Sequence, residues 1–209
     1  MAQLKPPKTV YWLENTLYLN ITNQCPNDCY FCLKRYRSGV GGFNLKLQNE
    51  PNLAQVTGEL SEVLHSRAWD GLVFCGFGEP TARLDMLLEV TRWVKANYGR
   101  SLYIRLNTNG QGSLLNPGRD IATELKDAGV DSVNVSLNAA DKDTYFEICR
   151  PTHPDTYEAV LDFICKAKSI LHVEVSAVRL PEVDIAKVSA LAQDLGVSFR
   201  VREYIPCFF

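Results

Sequence analysis

Three cysteines stand within eight residues, Cys25-Pro26-Asn27-Asp28-Cys29-Tyr30-Phe31-Cys32, a C-x3-C-x2-C spacing. Thiolates held so close together repel one another and compete for protons, so a soft metal ion or an iron–sulfur cluster is the natural occupant. A structural zinc site is four-coordinate and closed, commonly built from two short cysteine pairs or from cysteine with histidine. No fourth ligand lies nearby: His65, His153 and His172 are isolated, although Cys75 can approach from the end of a predicted strand. A cubane cluster usually takes four cysteines; with three, one iron keeps an open coordination position for a substrate or cofactor.

The remaining cysteines do not suggest a disulfide framework. Their total of seven in 209 residues is about 3% and odd, well under the roughly 8–10% of a disulfide scaffold. Cys149 and Cys165 fall on or beside predicted helices and read as buried small hydrophobes. With 46% hydrophobic and 22% charged residues, the composition suits one globular domain over 1–209. A net charge of −2 gives no argument for binding nucleic acid. No apolar run approaches the ~20 residues of a membrane span, and residues 1–8 lack the apolar core of a secretory signal, so a cytoplasmic location is expected and membrane contact is not.

Along the chain, short β-branched or aliphatic runs alternate with helical periodicity, the pattern of βα units around a parallel sheet. Strands are predicted near 16–22, 71–75, 101–107, 132–138, 172–178 and 198–202. Helices are predicted near 53–66, 84–97, 120–128, 156–168 and 183–195, with a short one at 141–148. Residues 1–15 read as irregular, and so does the cluster loop, 23–52. Its 33–52 portion is longer than the ~12–15 residues beyond which a loop is usually functional or carries structure of its own.

Four of the strands alternate instead of being apolar throughout, as doubly covered parallel strands are. Leu17, Leu19 and Ile21 oppose Tyr18, Asn20 and Thr22; Leu102, Ile104 and Leu106 oppose Tyr103, Arg105 and Asn107. Val133, Val135 and Leu137 oppose Asn134, Ser136 and Asn138, and Phe199 and Val201 oppose Arg200 and Arg202. One face takes the helices and the other lines something polar. Six of the eight units of a ~250-residue barrel need about 190 residues, so a partial (βα)6 TIM-like barrel fits the length. The rivals are an open doubly wound sheet and an antiparallel sheet with a solvated face.

The cysteine loop, with Phe31 just before its last cysteine, resembles the cluster motif of the radical S-adenosylmethionine (radical SAM) superfamily. Gly76-Phe77-Gly78-Glu79-Pro80 after the second predicted strand is similar to that family's Gly-Gly-Glu-Pro motif, with Phe77 in place of the first glycine. Asn107-Thr108-Asn109-Gly110 and Ser136-Leu137-Asn138 follow in the family's order at later strand ends. Within the superfamily, Leu19–Asn23, Phe74–Pro80 and Val201–Ile205 look most like the small radical SAM proteins associated with TatD-type nucleases. The short 7-carboxy-7-deazaguanine synthases are next.

The resemblance implies an oxygen-sensitive enzyme with a 4Fe-4S cluster on Cys25, Cys29 and Cys32. The unique iron binds S-adenosylmethionine (SAM), which is reductively cleaved to a 5′-deoxyadenosyl radical that takes hydrogen from an unidentified substrate. A flavodoxin- or ferredoxin-like donor supplies the electron, and a functional link to a TatD-type nuclease is implied. Cofactor contacts fall on Phe31, Gly78, Glu79, Pro80, Asn107, Asn109, Ser136, Asn138 and Ser176. Bland uses compete at several of these: Glu79 can cap a helix, and Asn109 and Asn138 can shape turns. Arg105, Glu174, Arg200 and Arg202 share the polar face, either as a self-satisfied ion network or, if two or more arginines are unpaired, as a site for a carboxylate or phosphate. Lys34, Arg35 and Arg37 read as a solvated loop in preference to a docking patch. The alternative functions are a deazaguanine-type synthase and a non-catalytic iron–sulfur or zinc module.

Overall fold

The computed structural model describes residues 6–99 and 101–205, so the Cys207-Phe208-Phe209 terminus lies outside the described residues. The chain opens with β1 (Val10–Leu13) and β2 (Thr16–Leu19), an antiparallel hairpin in which Leu13 pairs with Thr16. This corrects the irregular 1–15 segment expected from sequence. The turn is Glu14-Asn15, with Glu14 at φ 51°, and it lacks the Asn-Gly or Asp-Gly signature that announces such hairpins.

The cluster loop follows and is not wholly irregular either. It holds a short 3-10 turn at Leu33–Arg35 and a two-stranded ribbon, β3 (Gly39–Val40) with β4 (Phe43–Asn44). Next come α1 (Leu53–Leu64), β5 (Gly71–Phe74), α2 (Leu84–Tyr98), β6 (Ile104–Thr108), α3 (Gly112–Leu115) and α4 (Ile121–Ala128). The chain continues through β7 (Ser132–Ser136), α5 (Lys142–Cys149), α6 (Thr156–Ala167), β8 (His172–Arg179), α7 (Ile185–Asp194) and β9 (Ser198–Glu203).

Seven strands form one sheet in the order β1-β2-β5-β6-β7-β8-β9. Every neighbouring pair from β2 to β9 is parallel, which disposes of the antiparallel rival; β1 is the antiparallel edge strand that the sequence reading missed. The alternation has the expected cause. Leu17, Leu19, Leu72, Phe74, Ile104, Leu106, Val133 and Val135 are buried in one core with the apolar stripes of the helices. On α2 that stripe is Leu84, Leu87, Leu88, Thr91 and Val94, at helical spacing. Each such aliphatic side chain contributes about 1.5–3 kcal/mol on burial. Side chains on the opposite face, Arg105 and Asn107 among them, line the concave side of a partial TIM barrel.

Helix starts are fixed by side-chain caps. Asp120, Asp141 and Asp184 accept hydrogen bonds from the backbone N–H groups of Thr123, Thr144 and Lys187, and Asn52 forms a reciprocal capping box with Gln55. Cys149 is buried as expected, whereas Cys165 is exposed on α6, because it falls outside that helix's buried stripe of Tyr157, Val160, Phe163, Ile164 and Ala167. Among the described residues no helix is long and apolar enough to cross a membrane.

Candidate active site

The cysteine loop is held from two sides. The last carbonyls of a helix have no partner within the helix; at the end of α5 the loop supplies them. The N–H of Tyr30 donates to the Ile148 carbonyl at 3.2 Å, and that of Asp28 to the Cys149 carbonyl at 3.1 Å. Asn27, buried, donates from Nδ2 to the Tyr145 hydroxyl at 3.1 Å and accepts from Gln111 Nε2 at 2.6 Å. Arg35 closes the loop on itself, donating to the Cys29 and Asp28 carbonyls and pairing with the Asp28 carboxylate.

On the other side the loop meets the segment after β5. Gly78 is required there by close approach: a Cβ on it would lie 2.5 Å from the Gln24 carbonyl oxygen and 2.6 Å from that of Thr22. The Glu79 N–H donates to that Gln24 carbonyl at 2.7 Å. Phe77, at the position where the family motif has glycine, is buried with Tyr11 and Leu45, and its N–H donates to Asn20 Oδ1. Arg83 reaches back to the Ile21 and Pro51 carbonyls and pairs with Glu50, joining both ends of the cluster loop to the barrel rim.

Glu79 is buried and highly connected. Its Oε1 accepts from the Thr81 N–H at 3.1 Å and from the Thr81 and Thr108 hydroxyls at 2.8 Å each, while Oε2 accepts from the Asn109 N–H at 2.7 Å. Burial pushes its carboxyl above the ordinary range, and these hydrogen bonds hold it back. It therefore caps the turn at Pro80–Arg83, as the bland reading held, and also fixes the loop after β6. Asn109 then presents Nδ2 3.9 Å from Cys25 Sγ.

A cavity of about 450 Å³ opens at these strand ends, as active sites of TIM barrels do. Cys25, Cys29, Cys32 and Phe31 lie on its wall, together with Gly78, Glu79, Asn107, Asn109, Ser136 and Asn138. Two predicted contacts do not reach it. Pro80 is buried at the start of the 3-10 turn, and Ser176, fully buried, donates to Asn134 Oδ1 at 2.9 Å beneath the surface. Asn138, at φ 60°, donates to the Ser136 carbonyl and to Cys149 Sγ, and accepts from Arg202 at 3.0 Å.

Burial pushes the Cys25 thiol up to about 12 and raises that of Cys32, while Cys29 is raised first by its hydrogen bond with Cys149 and then by burial. Ligation of a metal must therefore displace protons from all three. Among the described residues no three Cys, His, Asp or Glu side chains close around one ion. The three thiols border the cavity together, a donor set that suits a soft metal or an iron–sulfur group. Sequence reasoning did not anticipate Asn27, Gln111, Thr108 and Arg83 as supports; their partners are distant in sequence, and only the Asn-Thr-Asn-Gly motif hinted at Thr108.

A "Probable GTP 3′,8-cyclase" of Saccharolobus islandicus (strain M.14.25 / Kamchatka #1) is 32% identical over 189 residues, covering 87% of this chain and 54% of that protein. A "GTP 3′,8-cyclase" of Corynebacterium glutamicum (strain R) is 30% identical over 197 residues, covering 91% of this chain and 49% of that protein. The chain thus spans about half the length of these curated relatives. By structure it resembles TYW1 (TM-score 0.63, 16% identity, covering 92% of this chain and 65% of that one). It likewise resembles HydG, a maturase of the FeFe-hydrogenase (TM-score 0.64, 17% identity, 92% and 43%); these likenesses bear on the fold alone. The sequence profile of the radical SAM superfamily, whose cofactors are a 4Fe-4S cluster and SAM, matches residues 19–195, and the chain belongs to that superfamily.

Proposed function

We propose that the protein is a radical SAM enzyme in which Cys25, Cys29 and Cys32 ligate the 4Fe-4S cluster. The observation that carries this reading is the meeting of the three cysteines with Glu79, Asn109, Ser136 and Asn138 on one cavity wall at the strand ends. When bound and reduced, the cluster supplies the electron that cleaves SAM to methionine and a 5′-deoxyadenosyl radical, which abstracts hydrogen from the substrate. The chain's own residues orient and enclose. Glu79 Oε2 and the Gly78 backbone offer acceptors for the methionyl ammonium, and Asn107, Asn109, Ser136 and Asn138 offer hydrogen bonds to the nucleoside and carboxylate. Phe31 shields the loop from water. A flavodoxin- or ferredoxin-like protein delivers the electron. Because the relatives are named for GTP, a purine nucleotide is the first substrate to try.

The test is anaerobic. The protein is reconstituted with iron and sulfide, given a strong reductant and SAM, and assayed for 5′-deoxyadenosine beside Cys29→Ala and Cys32→Ala. Product that vanishes in both variants is expected. Equal product in either variant sinks the assignment, and a bound, reducible cluster whose EPR signal ignores SAM would make the protein a binding module.

A further inference from the structure

We propose that the cavity binds a substrate bearing an oxyanion, carboxylate or phosphate, and that Arg202 is its ligand; the proposal rests on the enzyme reading above and names its substrate class.

Arg202 stands on β9 at the cavity wall. Its Nη2 donates to Ser136 Oγ at 3.2 Å and to Asn138 Oδ1 at 3.0 Å, both neutral acceptors. Its Nε is sealed from solvent without a hydrogen-bond partner. A buried guanidinium donor left unmatched costs free energy, and a guanidinium cannot escape by losing its proton. Such a cation ordinarily has a carboxylate beside it. Here each nearby carboxylate is committed elsewhere. Glu174 accepts from Arg200 Nε at 2.9 Å and from Asn134 Nδ2 at 2.6 Å. Glu203 pairs with Arg179 at 3.1 Å, and Glu79 holds Thr81, Thr108 and Asn109.

The arrangement is pre-organised. Two hydrogen bonds fix one end of a planar fork, while Nε and Nη1 have no protein partner among the described residues. With both N–H groups of Nη2 engaged, neither two-nitrogen fork is free, and the fixed guanidinium offers an anion its charge and a charge-assisted hydrogen bond from Nη1. Two other negative groups compete for the same cation: the SAM carboxylate and the cysteine thiolates near Arg202. The experiment separates them from the substrate.

The reconstituted protein with SAM bound is titrated calorimetrically, at constant ionic strength, with inorganic pyrophosphate and separately with malonate. The proteins compared are wild type, Arg202→Met and Arg202→Lys. We expect at least one anion to bind wild type, with affinity falling about tenfold or more in Arg202→Met and by less in Arg202→Lys. Pyrophosphate binding alone assigns a phosphate ester, and malonate binding alone a carboxylate. Arg202→Met also takes the donor from Ser136 Oγ and Asn138 Oδ1, so a modestly lower melting temperature is expected of it, and Arg202→Gln repeats the anion titration with an amide donor kept. Three results overturn the proposal: no anion binding to wild type; unchanged anion affinity in Arg202→Met and Arg202→Gln; or SAM affinity or cluster midpoint potential altered in these variants without loss of anion binding. None of these readouts requires SAM cleavage, so failure of the catalytic assay with intact anion binding indicts the enzyme reading alone.

Discussion

Gln111 Nε2 donates to Asn27 Oδ1 at 2.6 Å, and through this bond the chain after β6 holds the loop that carries the three cysteines. Gln111 and Asn27 are both buried, and Tyr145 completes the bridge from α5. Two separate elements thus fix one loop whose own sequence gives it no regular structure before Leu33.

Gln111→Ala leaves Asn27 Oδ1 buried without a donor. Such a loss costs about 1–3 kcal/mol. Urea titration should show that decrease with an unchanged slope, and reconstituted Gln111→Ala should hold less iron per chain than wild type. Wild-type stability and iron content in the variant would show that the bridge contributes nothing.

Gly78→Ala tests the contact between the cluster loop and the segment after β5. The added methyl meets two backbone carbonyl oxygens that cannot rotate away. The expected cost is about 1–3 kcal/mol with reduced cluster loading. Gly58→Ala is the internal control: Gly58 lies within α1 with nothing within 4 Å of the new Cβ. It should stabilise the protein by about 0.5–1 kcal/mol. Thermal denaturation of the two variants side by side gives opposite signs if the clash is real.

Asp141 carries a prediction about acid. Hydrogen bonding by the Thr144 N–H, and secondarily by its hydroxyl, lowers the Asp141 carboxyl below its ordinary 3.8. A folded-state value below the unfolded one means that the stabilisation is complete above about pH 4 and is lost as pH falls through the lowered value. Asp141→Asn keeps the cap and removes the titration, so its stability profile should flatten on that acid limb relative to wild type. Asp141→Ala should instead lose about 0.5–2 kcal/mol near neutrality. Denaturant midpoints across pH 2–7 distinguish the two, and parallel profiles for wild type and Asp141→Asn would exclude Asp141 as the source.

Much of this architecture was legible because its causes are local. Alternation along β6 put Arg105 and Asn107 opposite Ile104 and Leu106 without knowledge of any neighbour. The cysteines and Gly78-Glu79 declared themselves by spacing. What escaped depended on contacts across the chain. The resemblance put Ser176 among the cofactor contacts, but its hydroxyl is spent on Asn134, and no single-strand pattern reveals which side chains pair across strands. β1 was missed because its turn uses Glu14 in a backbone region that glycine normally serves. Cys165 was read as buried from residue type, while its place on α6 turns it outward.

The joining of the cysteine loop to α5 also sets a timetable for synthesis. Asn27 and Tyr145 are 118 residues apart, so the loop leaves the ribosome long before the helix that holds it exists. At the usual elongation rates that interval is on the order of 10 seconds. Throughout it the thiols sit on a loop that lacks its anchor on α5. Loading of iron and sulfur onto the finished geometry is thereby a late event in the life of the nascent protein, and delivery systems that act on completed chains suit it better than those that act during translation.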